Sequence, residues 1–278
     1  VTVDTVGALT LNAGSMSSLT VSAASSITDA GALTVTGATD LDTSVANGNI
    51  DLDTATHSLN SLAVNAGTGT VDVDETDAIA LGNITAANFT VSAGGAVSDT
   101  GTLTVSGTTD IDTAANNSDI TLNTNTHSLN TLIVESGTGA VDIDETDALT
   151  LQVDSAGDVT IDSVGALTLN TGSMANLTVT DAASVTDAGS LTVTGTTDID
   201  TSTANGNVDL SNNTQSLNVF TVAAGTGTVM VDDTDALDLG NITASALTVT
   251  AGGAVSDSGT LTVSGTTDID TSAGNADI

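Results

Sequence analysis

The chain has 278 residues with 35 Asp and Glu, two His and neither Lys nor Arg, giving a formal charge of −35. Without cationic side chains it lacks the groups that grip nucleic-acid phosphate or an anionic membrane surface. Without Cys it has no disulfide, thiolate metal site or thiol nucleophile.

Apolar residues make up 39% of the chain, mean hydropathy is +0.25, and there are two Phe but no Trp or Tyr. A long, thin core of stacked small aliphatics suits this palette better than a compact core built on aromatic rings. No apolar run approaches the roughly 18 residues of a membrane helix, so direct membrane insertion is not expected.

From the first residue onward, apolar–polar–apolar triplets recur. They begin at Leu9, Leu19, Leu33, Leu41, Ile50, Leu62, Val71 and Ile79. Alternation with period two predicts half-buried strands. Gly, Asn, Asp and Ser clusters between the triplets predict turns. No segment shows a helical period, and Val, Thr and Ile supply strand propensity throughout.

One eleven-residue phrase is written four times: LTVTGATDLDT from Leu33, LTVSGTTDIDT from Leu103, LTVTGTTDIDT from Leu191 and LTVSGTTDIDT from Leu261. In the second copy Leu103, Val105 and Ile111 are expected to face inward, with Thr104, Ser106 and both Asp outward. Gly107 is expected to make a corner with positive φ.

Longer repeats enclose the phrase. Residues 1–70 align without gaps to 159–228, and 71–120 align to 229–278 with 38 of 50 positions identical. The units are 1–70, 71–140, an 18-residue insertion at 141–158, 159–228 and a partial 229–278. Val1 and Ile278 both fall inside repeats, so a segment of something longer is expected. A closed sandwich would not absorb an insertion of two strand-turn units, whereas a solenoid simply gains a coil. The expectation is an all-β, elongated parallel β-helix (β-solenoid), about 18–24 residues per coil, continuous over 1–278.

Acidic pairs are the clearest chemical feature. Four lie in the phrases: Asp40/Asp42, Asp110/Asp112, Asp198/Asp200 and Asp268/Asp270. Two acidic runs add Asp72, Asp74 and Asp77, and Asp142, Asp144 and Asp147; a third run, from Val229, is VMVDDTD. Like charges on adjacent coils repel by roughly 3 kcal/mol at 5 Å and an effective dielectric of 20. With no Lys or Arg to neutralise them, structural Ca²⁺ is the expected cofactor, since it takes six to eight oxygen ligands in flexible geometry. The alternative is a solvated acidic surface with diffuse counterions.

The GTG pieces at Gly67–Gly69, Gly137–Gly139 and Gly225–Gly227 lack the third Gly and helix of a dinucleotide site, and predict tight corners. His57 and His127 occupy the place held by Gln215 in the third unit, which predicts a polar corner residue. Sequons at Asn83, Asn88, Asn116, Asn176, Asn212 and Asn241 follow from Asn- and Thr-rich turns.

The tandem LTVTG, TDIDT, GNIDL and GALTLNAG phrases resemble the repetitive stalks of large bacterial surface proteins, the filamentous-haemagglutinin-like and autotransporter adhesins. The resemblance covers the whole chain and implies a secreted β-solenoid at the cell surface or in extracellular fibres. Its expected partners are further copies stacked end to end, or other surface and matrix components. The functional expectation is a non-enzymatic shaft or self-associating filament. Two alternatives stay open. One is an ice-binding rod, suggested by outward TVT triplets; the other is a glycan-active β-helix using paired Asp.

Overall fold

The computed structural model describes all 278 residues and divides into two compact units, Val1–Asp144 and Glu145–Ile278. Both are built of parallel strands, and apart from one 3₁₀ turn at Ala114–Asn116 the ordered elements are strands. No helix is long and apolar enough to cross a membrane. The chain is a β-solenoid of about 14 turns with about 19 residues per turn.

In the first unit the strands of the first turn pair with those one turn later, and strands beyond them stack in parallel on the turn before and the turn after. Thr2 lies beside Thr20, an offset of 18 residues, and Thr34 beside Ser58, an offset of 24. Those offsets span the coil lengths expected from the triplet spacing.

Because the side-chain period in a strand is two, in-register stacking sends equivalent inward residues into continuous columns. Leu19, Thr39, Leu62 and Leu81 make one column, and Val71, Phe89, Thr109 and Leu132 another. All eight are buried. The aliphatic members each contribute roughly 1.5–3 kcal/mol of burial.

The second unit repeats this scheme. Leu149 lies beside Leu167, and Val159, Leu177, Thr197, Phe220 and Leu239 form a buried column.

The repeated phrase occupies one element. Leu103–Asp112 is a single strand with Leu103, Val105 and Ile111 buried, Thr104 and Ser106 exposed and both Asp half-buried. The corner expected at Gly107 is there, since the register against the following strand shifts between Val105 and Thr108.

Its cause differs from the expectation. The positive-φ glycines are Gly67, Gly137 and Gly225, and Gly107 is not among them. A side chain at Gly107 would instead run into the Asn88 amide oxygen and come within 2.6 Å of the Ala87 carbonyl oxygen. The neighbouring coil passes too close for a Cβ. The three GTG pieces are tight turns as expected, with φ near +60° at each leading Gly.

The end of the phrase shapes the next corner. Asp42, Asp112, Asp200 and Asp270 each accept a backbone N–H two residues ahead through Oδ1 at 2.8 Å. Thr43, Thr113, Thr201 and Thr271 donate their hydroxyls to a carbonyl five residues on, at 2.6–2.8 Å. Asn47, Asn117, Asn205 and Asn275 then take the left-handed conformation. The first three also accept an N–H from the next coil, from Thr68, Thr138 and Thr226. The phrase thus encodes strand, close approach, strand and capped turn.

Candidate metal centre

Alternation places some carboxylates inside. In Ser26–Asp29 the pattern puts Ile27 inward, Thr28 outward and Asp29 inward, and in Thr70–Glu75 it carries Val71, Val73 and Glu75 inward. His57 is also buried, on the long strand Ile50–Asn65, in register with Glu75. The polar residues expected at this corner, His57 and His127, are both buried. Both side chains are fully enclosed, and each meets a backbone N–H of the preceding turn.

His57 Nδ1 accepts the buried Leu33 N–H at 3.0 Å, and His127 Nδ1 accepts that of Leu103 at 3.0 Å. An accepting Nδ1 fixes the neutral tautomer with its proton on Nε2. Burial lowers both histidine pKa values from 6.5, while Asp29 and Asp99 respectively pull them back up.

In the third repeat Gln215 Oε1 accepts the Leu191 N–H at 2.7 Å, and its Nε2 donates to Asp187 Oδ2 at 3.1 Å. Glu75 accepts N–H bonds from Leu59, Thr76 and Asp77. Burial nevertheless outweighs those donors and raises its pKa to about 7.

The acidic residues expected at the surface separate into two groups. In the phrases, most register neighbours are uncharged: Asp40 lies between Thr20 and Ala63, and Asp198 between Thr178 and Thr221. Asp268 and Asp270 are exposed beside Thr248 and Thr250. Asp110 is half-buried beside Thr90, and Asp112 lies between Ser92 and Glu135. Asp112, Asp200 and Asp270 serve as the turn acceptors described above.

The other group is the acidic run from Val71. Asp72 and Asp74 are half-buried on one strand, and Asp72 is the register partner of Asp51. Burial raises the pKa of both Asp72 and Asp74, with Asp53 adding to the shift. Asp77 is exposed beyond the strand and accepts the Ser58 hydroxyl at 3.0 Å. Asp142 and Asp144 are half-buried on Val141–Glu145, Asp142 accepting the Asn123 amide at 2.6 Å, and Asp147 is exposed.

The three carboxylates that the fold gathers within reach of one ion are Asp29, Asp51 and Asp53. Each offers an oxygen, and these lie within 4.8 Å of one another. Asp51 and Asp53 are exposed and Asp29 is buried. The shared hydrogen bond with Asp53 raises the Asp51 pKa, with burial and the Asp53 charge adding to it. Asp72 and Asp74 lie in an evident acidic run, whereas Asp29 stands in an ordinary-looking Ser-Ile-Thr-Asp. The signal that finds it is parity, since it sits two residues after an inward Ile.

Fold and site define a repeat protein of the parallel β-solenoid class. Residues 1–65, 68–136, 156–225 and 226–278 match the family described as Repeats of unknown function (DUF5649). The chain belongs to that family. No curated protein and no solved structure matches it.

Proposed function

We propose that this chain is a non-enzymatic structural segment, the shaft of a cell-surface adhesin or a self-associating extracellular filament. The observation that carries this reading is the way the four phrase copies spend their residues. The apolar residues fill columns, the glycine admits the neighbouring coil, and Asp, Thr and Asn close the same corner each time. A sequence under that constraint is built for reiteration, which suits a spacer or fibre more than a single differentiated site.

The test is localisation in the organism that makes it. Antibodies against residues 1–278 should label intact cells or extracellular fibres, and brief protease treatment of intact cells should remove the signal. Labelling that appears only after permeabilisation would overturn the reading.

A further inference from the structure

We propose that the first repeat holds a calcium site formed by the carboxylates of Asp29, Asp51 and Asp53, at a place where the second and third repeats keep the buried Asp and meet it with side-chain amides instead. The inference stands apart from the shaft reading, and its failure would leave that reading intact.

Geometry is the first support. Calcium–oxygen distances run about 2.3–2.6 Å, so oxygens sharing one ion lie no more than about 5 Å apart. The three carboxylates meet that limit. Two of them are solvent-exposed, which leaves room for water to complete the shell.

The second support is a buried oxygen without a partner. The Asp29 side chain has no exposed surface. Its Oδ1 accepts the Thr54 N–H at 3.1 Å, yet its Oδ2 has no hydrogen-bond partner. His57 Nε2 lies 3.7 Å from that oxygen, beyond hydrogen-bond reach. A buried carboxylate oxygen left bare is costly unless a charge or donor meets it.

Comparison between repeats shows what usually meets it. Asp99, the counterpart of Asp29, receives the Thr124 N–H on Oδ1, and on Oδ2 both the Asn125 N–H at 2.9 Å and the Asn125 amide at 3.1 Å. Asp187 receives the Asn212 N–H on Oδ1, and on Oδ2 the amides of Asn213 at 3.0 Å and Gln215 at 3.1 Å.

The first repeat has Ala55 where the others have Asn125 and Asn213. It loses the amide donor. In the same stretch it carries Asp51 and Asp53, against Thr121 and Asn123 or Asp209 and Ser211. Asn123 and Ser211 quench nearby charge, donating to Asp142 and Asp209 respectively. The first repeat adds charge instead, and Asp72 and Asp74 on the next turn deepen the negative potential. Donors have been exchanged for carboxylates, which is the exchange a cation requires.

The experiment is calcium titration by calorimetry on the 278-residue protein, in enough NaCl to screen diffuse binding. One saturable site is expected. Removing even an outer partner of a metal ligand commonly costs about 10–100-fold in affinity, so Asp53→Asn should weaken binding at least about tenfold. Ala55→Asn, which installs a residue native to the second repeat, should weaken it similarly by giving Asp29 its amide. The triple change Thr121→Asp, Asn123→Asp and Asn125→Ala should add a second site of comparable affinity. Circular dichroism of each variant confirms folding. Absence of saturable binding, or binding that neither Asp53→Asn nor Ala55→Asn alters, would overturn the proposal. So would tighter binding of magnesium than of calcium.

Discussion

His57 accepts the Leu33 N–H through Nδ1, and Gln215 accepts the Leu191 N–H through Oε1. Each presents a nitrogen toward a buried Asp, so an imidazole and a carboxamide perform one task. His57→Gln should therefore change stability by less than about 1 kcal/mol, whereas His57→Leu strands the buried Leu33 N–H and should cost about 1–3 kcal/mol. Urea unfolding of the two variants separates these outcomes.

Asp233 offers a pH test of the same interior. Burial raises its pKa above the ordinary 3.8, against N–H bonds from Asp235 and Leu217. A raised folded pKa means the folded state holds the proton more tightly than the unfolded state does. Its stabilisation is complete below about 3.8 and fades as pH rises through the folded value. The melting temperature of the parent minus that of Asp233→Asn should fall with rising pH across that window. A difference independent of pH would show that the carboxyl titrates as it does in the unfolded chain.

At the level of the strand, the phrase carries an imperfection. Thr39, Thr109 and Thr197 are buried at equivalent columns, and their hydroxyls have no hydrogen-bond partner. Thr109 sits between Phe89 and Leu132, an apolar setting for an unsatisfied oxygen. Thr109→Val keeps the shape and removes the hydroxyl, so it should stabilise the fold by about 1 kcal/mol, read from the denaturation midpoint.

Strands were legible because alternation is a local property; Leu33, Val35 and Leu41 declare their face without reference to any other residue. The corner at Gly107 was legible as a corner, but its cause lies in Asn88 on the neighbouring coil, which local pattern does not show. The burial of His57 was hidden for a related reason. The long strand Ile50–Asn65 breaks its alternation after Leu52, with Asp53 and Thr54 both outward, so parity counted from Ile50 could not be carried across the bend. Asp29 was within reach of parity and was hidden only by its polar type.

Across the molecule the abundance of carboxylate and amide side chains has a structural reason. Solenoid corners leave backbone N–H groups without strand partners, and those groups need acceptors. Asp, Asn, Glu and Gln oxygens supply them at the phrase turns, at Asp29, at Glu75 and at Gln215. Lys and Arg side chains only donate and could fill none of these places. Much of the acidity is thus the chemistry of turning corners, and the carboxylates of the first repeat stand out by exceeding that need.

Within each unit the fold is a parallel stack in which residues about one turn apart lie side by side in fixed register. The chain has no Cys, so paired cysteines can read that register directly. Thr10 faces Thr28 with hydroxyl oxygens 3.3 Å apart in the first unit, and Thr168 faces Thr186 at 3.5 Å in the second. Disulfides form where Cα atoms lie about 4.4–6.8 Å apart and fail beyond about 7 Å. Thr10→Cys with Thr28→Cys, and Thr168→Cys with Thr186→Cys, should each close an intramolecular disulfide on mild oxidation, measured by mass spectrometry of the monomer. The controls Thr10→Cys with Ser26→Cys and Thr168→Cys with Ser184→Cys, two residues out of register, should remain largely reduced. Equal closure of matched and shifted pairs, or no closure of the matched pairs, would contradict the solenoid.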